Sequence, residues 1–186
     1  MFDQILANLA RHLDEASVPY MIYGGQAVLI HGEPRFTRDI DVSLGVDNER
    51  LKDVLKVLER CSLKPAVPNP ARFVAETYIL PADHAKSQMR VDFCFSFTPF
   101  EQLAISRATP RVVADYPVRF ASAEDLIIHK LFAGRPRDIE DIRGILARKG
   151  KELDKRYLRK WAKEFSTVEG KANLIDQLGS LLNEFR

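Results

Sequence analysis

The chain has 186 residues, 46% of them hydrophobic and 29% charged, with a formal net charge of +2. This composition is typical of a globular protein and excludes disordered and collagen-like chains. The two cysteines, Cys61 and Cys94, do not form a disulfide framework or a zinc knuckle, which fits a reducing compartment. The charged N-terminus lacks a signal peptide's apolar segment, and no apolar run approaches the ~20 residues of a membrane helix. We therefore expect a cytoplasmic protein with no membrane partner.

Positive charge is concentrated towards the C-terminus. Residues 129–165 hold 12 basic and 6 acidic side chains, whereas residues 1–128 hold 14 basic and 17 acidic ones. Such a block can attract a polyanion such as RNA. It is also what the solvated faces of charged helices produce, and charge alone favours this second interpretation.

The spacing of apolar residues predicts the elements of the first part of the chain. Apolar side chains at helical spacing predict a helix over 2–16, which Pro19 stops. The run Tyr20–Tyr23 predicts a buried strand that enters a tight turn at Gly24 and Gly25. We then expect a short helix over Gln26–His31, a strand over Thr37–Leu44 and a helix over 49–61.

The middle of the chain predicts more sheet, and its end predicts helices. We expect strands over Arg72–Leu80 and Gln88–Phe97 joined by a turn at 81–83, a helix over Phe100–Arg107 and extended structure over Val112–Phe120. From Ser122 onward the pattern is helical. The sequence therefore predicts an α/β fold, in which a small mixed sheet flanked by helices (residues 1–121) is followed by a helical region (residues 122–186) packed on it.

Two carboxylates in the strand over Thr37–Leu44 are the first candidates for chemistry. Asp39 and Asp41 are two residues apart, so they project from the same face of a strand, about 6.6 Å apart along the chain. Like charges this close need solvent, an ionic partner or a bound cation. Arg35 and Arg38 can pair with them, or the two carboxylates can bind Mg²⁺, which prefers oxygen ligands.

Two further features favour the metal interpretation. Gly24 and Gly25 lie after a strand and before a helix, where glycine lets the backbone approach a ligand and free N–H groups favour phosphate. Asp92 stands in an otherwise apolar strand. Either Arg90 or solvent accommodates its charge, or Asp92 is a third metal ligand from an adjacent strand.

This set of motifs resembles the nucleotidyltransferase superfamily of polymerase-beta-like fold. The resemblance is carried by Gly24-Gly25, by Asp39-Ile40-Asp41 and by the later strand with Asp92. The segments GGQAVLIHGEPRFTRDIDVSLG and SAEDLIIHKLFAGRPRDIEDI are similar to minimal nucleotidyltransferases related to the AbiEii/AbiGii toxin family, which carry a lysine and then an arginine–aspartate pair in their helical half. The matched segments span about residues 20–147.

The resemblance implies a role for each matched residue. Asp39, Asp41 and Asp92 would hold two Mg²⁺ ions, and Asp92 would also help to activate the attacking hydroxyl. Gly24 and Gly25 would cradle the β- and γ-phosphates of a nucleoside triphosphate. The implied reaction is in-line attack of a hydroxyl on the α-phosphorus, with release of pyrophosphate.

The chain departs from the superfamily pattern at the second glycine. Many members have serine at the position of Gly25, and its hydroxyl contacts phosphate. Here Thr37 or Arg38 would supply the missing contact. Arg35 and Arg38 would either clamp phosphate or balance the nearby carboxylates, and the two roles are compatible.

The helical region adds two candidates for nucleotide binding. By resemblance, Lys130 would bind triphosphate, and the alternative is a surface lysine. Asp138 would lie near the active site, facing Lys130 or the substrate. Its alternative role is to stabilise the start of a helix, where the dipole favours negative charge.

We expect a Mg²⁺-dependent nucleotidyltransferase that moves a nucleoside monophosphate from a triphosphate to a hydroxyl of a transfer RNA, a protein or a small molecule. The basic block over 129–165 favours RNA as the acceptor. The toxin-like resemblance implies a toxin–antitoxin setting with an antitoxin protein as partner. The alternative is a non-catalytic member of the same fold that binds a nucleotide or a partner protein. Retention of all three acids favours the enzyme.

Overall fold

The computed structural model of the protein describes residues 2–185, which form seven strands and nine α-helices. The first part contains α1 (Phe2–Glu15), β1 (Tyr20–Tyr23), α2 (Gly24–His31), β2 (Asp39–Leu44), α3 (Leu51–Arg60), β3 (Leu63–Pro65), α4 (Pro70–Thr77), β4 (Ile79–His84) and β5 (Arg90–Phe95). The second part contains α5 (Pro99–Ser106), β6 (Thr109–Val113), β7 (Tyr116–Phe120), α6 (Ala123–Ala133), α7 (Pro136–Lys149), α8 (Lys155–Phe165) and α9 (Leu174–Glu184).

The seven strands form one mixed sheet in the order β3-β4-β5-β2-β1-β7-β6. The β2–β5 and β1–β7 pairs are parallel, and the remaining pairs are antiparallel. The predicted α/β fold with a mixed sheet is therefore confirmed. β2 lies at the centre of the sheet, so the strand that carries Asp39 and Asp41 has a hydrogen-bonded neighbour on each side.

The alternation of side chains on β2 and β5 separates an apolar face from a polar one. Ile40 and Val42 on β2, and Val91 and Phe93 on β5, are fully buried. Burial of an aliphatic or aromatic side chain of this size stabilises the fold by about 1.5–3 kcal/mol. The residues between them face the other side of the sheet, which is where the acidic side chains lie.

One predicted strand is wrong, because residues 70–77 form the helix α4. The Asn69 side chain accepts a hydrogen bond from the backbone N–H of Arg72, and Pro70 occupies the first turn. These neighbouring residues therefore start the helix locally. Tyr78 ends the helix in a left-handed conformation. β4 then runs through Pro81–Asp83, where the sequence had predicted a turn.

The chain folds into two compact units. The first contains the sheet and comprises the residues up to Gln26 together with Thr37–Ala121; we call it the sheet unit. The second comprises Ala27–Phe36 and the residues from Ser122 onward; we call it the helical unit. A boundary placed at residue 121 alone leaves the segment 27–36 with the sheet, whereas it folds with the C-terminal helices.

Long-range packing explains why the segment 27–36 belongs to the helical unit. Gly32 packs against Ile145 of α7, and the main-chain carbonyl of Gly32 accepts a hydrogen bond from Arg148. The α6 helix packs on α7, α8 and α9 within the same unit. Over residues 2–185, the longest and most apolar helices fall short of what a membrane span requires.

Candidate active site

Asp41 and Asp92 lie opposite each other on neighbouring parallel strands. β2 and β5 pair with Asp41 in register with Asp92, and paired strands lie about 4.8 Å apart. Asp39 lies two residues before Asp41 and therefore on the same face of β2. All three side chains are half-buried, whereas the residues between them are buried. The sheet unit thus presents three carboxylates on one face.

The turn at Gly24 brings backbone against one of these carboxylates. Gly24 begins α2 directly after Tyr23, which is the register partner of Asp41. Gly24 adopts a φ of +58°, a left-handed conformation that disfavours residues with a side chain. A Cβ atom at this position would also collide with the carboxylate of Asp41. Both the conformation and the lack of space therefore require glycine.

Two side chains of the sheet unit fix Asp39. The Thr37 hydroxyl donates a hydrogen bond of 3.0 Å to Oδ1 of Asp39. The buried amide of Gln26 donates a hydrogen bond of 3.2 Å to the main-chain carbonyl of Asp39. Gln26 directly follows Gly25 in α2, so a single side chain joins the diglycine turn to the start of β2.

Burial disfavours the ionised form of Asp92. Burial raises the pKa of the Asp92 carboxyl, the charges of Asp39 and Asp83 raise it further, and Arg90 opposes them. Arg90 donates to Asp83 at 2.8 Å but lies 3.9 Å from Asp92, so its closer ionic partner is Asp83. A cation bound at Asp92 would therefore offset the cost of burying its charge.

Tyr23 lies on the same face and stays protonated. Burial raises the pKa of the Tyr23 phenol, and the neighbouring Cys94, Asp41 and Asp92 raise it further. A neutral phenol is a hydrogen-bond donor at physiological pH. Burial likewise raises the pKa of the Cys94 thiol, so this cysteine is a thiol and not a reactive thiolate.

The helical unit contains a different cluster of charges, centred on the buried Lys130, Asp138 and Asp141. Nζ of Lys130 lies 3.1 Å from Oδ1 of Asp138 and 2.6 Å from Oδ2 of Asp141. Arg35 donates two hydrogen bonds to Asp141, of 2.8 and 2.9 Å. Arg135 donates to Asp138 at 2.7 Å. Lys130 is only 5% exposed, so it is not the surface lysine of the alternative interpretation.

These cations keep Asp138 and Asp141 ionised. Burial alone would raise the pKa of Asp138, but hydrogen bonds from Arg135 and Lys130 outweigh it and lower that pKa. Burial would also raise the pKa of Asp141, and hydrogen bonds from Arg35 and Lys130 likewise lower it. Asp138 also accepts the backbone N–H of Arg135 at the start of α7, as expected for a helix-capping acid.

The remaining predicted nucleotide ligands lie near the ends of α2 and β2. Gly25 is buried as the second residue of α2. Arg38 is exposed and directly precedes β2. Gly24, Gly25, Thr37 and Arg38 therefore belong to the sheet unit with the three acids, whereas Arg35, Lys130 and Asp138 belong to the helical unit.

The carboxylate face suits a hard divalent cation. Among residues 2–185, no group of three or more His, Cys, Asp or Glu side chains is arranged to hold a metal ion. Mg²⁺ is usually held by one or two protein carboxylates, and water and substrate phosphates complete its octahedron. Asp41 and Asp92 provide such a pair on adjacent strands, and Asp39 adds a third oxygen donor on the same face. The chemistry of this donor set therefore fits Mg²⁺.

Sequence reasoning missed three residues that shape these clusters. Gln26 was assigned only to a short helix, and Tyr23 only to a buried strand. Asp141 lies three residues after Asp138 and therefore on the same face of α7, but nothing in its spacing marked it as a site residue. The signal for Gln26 was a polar side chain at the start of a short apolar helix, a position that favours a buried hydrogen bond.

Solved nucleotidyltransferases share this fold. The structure of ANT(2'')-Ia in complex with adenylyl-2''-tobramycin superposes with a TM-score of 0.62 at 19% identity, covering 88% of this chain and 98% of that one. An antigenic nucleotidyltransferase-like protein from Paracoccidioides brasiliensis gives 0.58 at 17% identity, covering 97% and 91%. The lincomycin-bound lincosamide antibiotic adenylyltransferase LnuA gives 0.50 at 18% identity, covering 76% and 94%.

Sequence comparison assigns the family directly. No curated protein sequence matches the chain. The family model described as nucleotidyltransferase of unknown function (DUF6036) matches residues 1–176, which is nearly the whole chain. The narrower likeness to AbiEii/AbiGii toxins stays a prediction. With its mixed α/β fold and its three carboxylates beside a diglycine turn, the chain belongs to the DUF6036 family of nucleotidyltransferases.

Proposed function

We propose that this nucleotidyltransferase uses Mg²⁺ to move a nucleoside monophosphate from a triphosphate to a hydroxyl acceptor. The observation that carries the proposal is the register of β2 and β5, which sets Asp41 opposite Asp92 with Asp39 on the same face. Beside them, Gly24 brings main chain against Asp41. This combination supports binding of a metal and a phosphate chain at one place in the sheet unit.

The diglycine turn supports binding of the triphosphate. α2 begins at Gly24, and the first N–H groups of a helix have no acceptor within that helix. These groups and the positive end of the helix dipole favour phosphate oxygens. Gly25 keeps a backbone donor there, and the exposed Arg38 adds positive charge. We assign the β- and γ-phosphates to these three residues.

The three carboxylates would hold two Mg²⁺ ions. Asp39 and Asp41 would bind both ions, and Asp92 would complete one of them. When bound, the ions neutralise the phosphate charge as it develops during transfer. Asp92 takes the proton from the acceptor hydroxyl. The acceptor oxygen forms its bond to the α-phosphorus while the bond to the β-phosphate oxygen breaks, and pyrophosphate leaves with that electron pair.

We propose that the charges of the helical unit serve stability instead of phosphate binding. A nucleotide contact by Lys130 would require its ammonium to exchange a buried carboxylate partner for a phosphate. Arg35 would likewise have to release the two hydrogen bonds that it donates to Asp141. Because breaking a buried ion pair is costly, the predicted roles of Lys130, Asp138 and Arg35 in nucleotide binding are the less favourable assignment.

A small hydroxylated molecule is the first acceptor to test. Two solved proteins of the same fold are associated with small molecules. One is a complex with adenylyl-2''-tobramycin, and the other is a lincosamide adenylyltransferase. Their identity to this chain is below 20%, so they support the fold and suggest only the kind of acceptor. The predicted RNA acceptor, the toxin role and the antitoxin partner enter the same experiment as alternatives.

The test is transfer of label from α-³²P nucleoside triphosphates with Mg²⁺. Separate reactions offer total RNA, a protein extract and a mixture of hydroxylated small molecules as acceptors. We expect transfer by the wild-type protein and a loss of about 10³-fold for Asp39→Asn, Asp41→Asn and Asp92→Asn. Asp115→Asn, which changes an exposed turn acid, is the matched control and should transfer normally.

Three results would contradict the proposal. Label transferred from the γ- but not the α-position would make the protein a phosphotransferase. Tight nucleotide binding without transfer to any acceptor would support the non-catalytic alternative. Equal activity of the three site variants and the control would show that transfer does not use these carboxylates.

A further inference from the structure

The Thr37 side chain is directed at a carboxylate of the proposed metal site. Its hydroxyl donates to Oδ1 of Asp39 at 3.0 Å, from a position two residues before Asp39 and just outside β2. Threonine is branched at Cβ, which restricts its χ1 angle and so the direction of its hydroxyl. A carboxylate offers about four lone-pair positions, and this bond uses one of them. The second oxygen of Asp39 stays available to a cation.

A neutral hydrogen-bond donor orients a carboxylate without neutralising its charge, whereas a cationic donor does both. In the helical unit, Arg35 and Lys130 neutralise Asp141 as well as orient it. Thr37 orients Asp39 and adds no positive charge, so Asp39 keeps its attraction for a metal ion. Hydrogen-bonded partners of this kind commonly orient metal-binding carboxylates.

The main chain of Asp39 is fixed independently. The amide of Gln26, which is 4% exposed, donates to the carbonyl oxygen of Asp39. With the backbone held by Gln26, the remaining freedom of Asp39 is the rotation of its side chain. The Thr37 hydroxyl restricts that rotation.

We infer that Thr37 is a positioning residue, which holds the Asp39 carboxylate in the orientation that binds a divalent cation. This role replaces the direct nucleotide contact predicted from the sequence, and it rests on the proposed function. The hydroxyl acts through Asp39, so its removal weakens metal binding even when no nucleotide is present.

The test measures Mn²⁺ binding to the nucleotide-free protein from the electron paramagnetic resonance signal of unbound Mn²⁺. Thr37→Val keeps the shape of the side chain but removes the hydroxyl, and Thr37→Ser keeps the hydroxyl. We expect Thr37→Val to bind Mn²⁺ about 10- to 100-fold more weakly and Thr37→Ser to bind like the wild type. Thr37→Ala replaces Thr37→Val if the latter does not fold, as judged by its melting temperature.

A second measurement separates positioning from direct contact. Binding of a fluorescent nucleoside triphosphate in EDTA should be the same for Thr37→Val and the wild type, and a loss there would assign Thr37 to the nucleotide. Unchanged Mn²⁺ binding in Thr37→Val, or equal weakening in Thr37→Ser, would overturn the inference alone. If wild-type and Asp39→Asn proteins bind Mn²⁺ equally, the proposed metal site itself fails.

Discussion

Asp41 with Asp92 in the sheet unit and Asp138 with Asp141 in the helical unit are both pairs of neighbouring carboxylates, but their surroundings differ. Lys130 lies within 3.1 Å of both acids of the second pair. In the sheet unit, Arg90 lies 3.9 Å from Asp92 and 2.8 Å from Asp83. The pKa values follow the surroundings, because that of Asp92 is raised whereas those of Asp138 and Asp141 are lowered.

This difference shows how one residue type serves two purposes in a single chain. In the helical unit the buried Lys130 and the more exposed Arg35 and Arg135 balance the charges of Asp138 and Asp141. These ion pairs hold α6, α7 and Arg35 together. In the sheet unit burial raises the pKa of Asp92, and Arg90 opposes this only from 3.9 Å. A bound cation can therefore gain more from Asp92 than from Asp138 or Asp141.

The largest effect on stability is expected when Lys130, the cation shared by Asp138 and Asp141, loses its charge. Lys130→Met leaves Asp138 and Asp141 buried without their shared partner. We expect the free energy of unfolding to fall by about 3–5 kcal/mol. The melting temperature should fall by about 6–20 °C for a chain of this size. Both values are measured by chemical and thermal denaturation followed by circular dichroism.

The control for that substitution is Lys163→Met, which removes an exposed lysine of α8. It should change the free energy of unfolding by less than about 0.5 kcal/mol. If Lys130→Met lowered the free energy of unfolding as little as this control, the ion pairs of Lys130 with Asp138 and Asp141 would not stabilise the helical unit.

A second, smaller effect on stability is expected at the diglycine turn. Gly24→Ala places a side chain in a left-handed conformation, which costs about 1–2 kcal/mol, and drives its Cβ into Asp41. Displacement of Asp41 by about 1 Å should lower nucleotidyl transfer by about 10²-fold. Denaturation and the label-transfer assay measure the two consequences separately.

The matched control is Gly179→Ala in α9, where an added Cβ meets no atom within 4 Å. Alanine is the better helix former, so this variant should be up to about 1 kcal/mol more stable and fully active. An active Gly24→Ala protein would show that the turn does not position the carboxylate face.

Local patterns were enough to predict much of the fold. The alternation of Asp39, Ile40, Asp41 and Val42 predicted β2 and its two faces, and Ser122 predicted the start of α6, where its side chain accepts the N–H of Asp125. The strand predicted over Arg72–Leu80 was wrong because the prediction gave more weight to apolar content than to the helix-starting Asn69 and the proline that follows it. Local cap chemistry was the better guide there.

The composition of the carboxylate face could be predicted, but its partners could not. That Asp41 faces Asp92 depends on parallel pairing between strands that are separated by two α-helices and two other strands, and residue spacing does not specify such pairing. The pairing of Arg35 with Asp141 spans 106 residues for the same reason. Sequence alone left Arg35 equally able to clamp phosphate or to balance an acid near it in the chain.

The smallest effect on stability is expected for Asp92→Asn, which should stabilise the protein by an amount that depends on pH. The pKa of Asp92 is raised in the folded state, so its protonated form contributes stability that is present below the ordinary Asp pKa and is lost as pH rises through the folded-state pKa. In EDTA, Asp92→Asn should therefore match the wild type at acidic pH and become more stable than it towards pH 7. Because the Asp92 side chain is 36% exposed, solvent screening keeps the difference below about 1 kcal/mol.

The measurement is the free energy of unfolding of both proteins across this pH range, with Asp115→Asn as the control for the change from acid to amide. Mg²⁺ should then reverse the order at pH 7, because an ion that binds the folded wild type stabilises it and Asp92→Asn lacks one ligand. If Asp92→Asn were less stable than the wild type in EDTA, the ionised Asp92 would be stabilised by its surroundings as Asp141 is. The proposed difference between the two units would then be wrong.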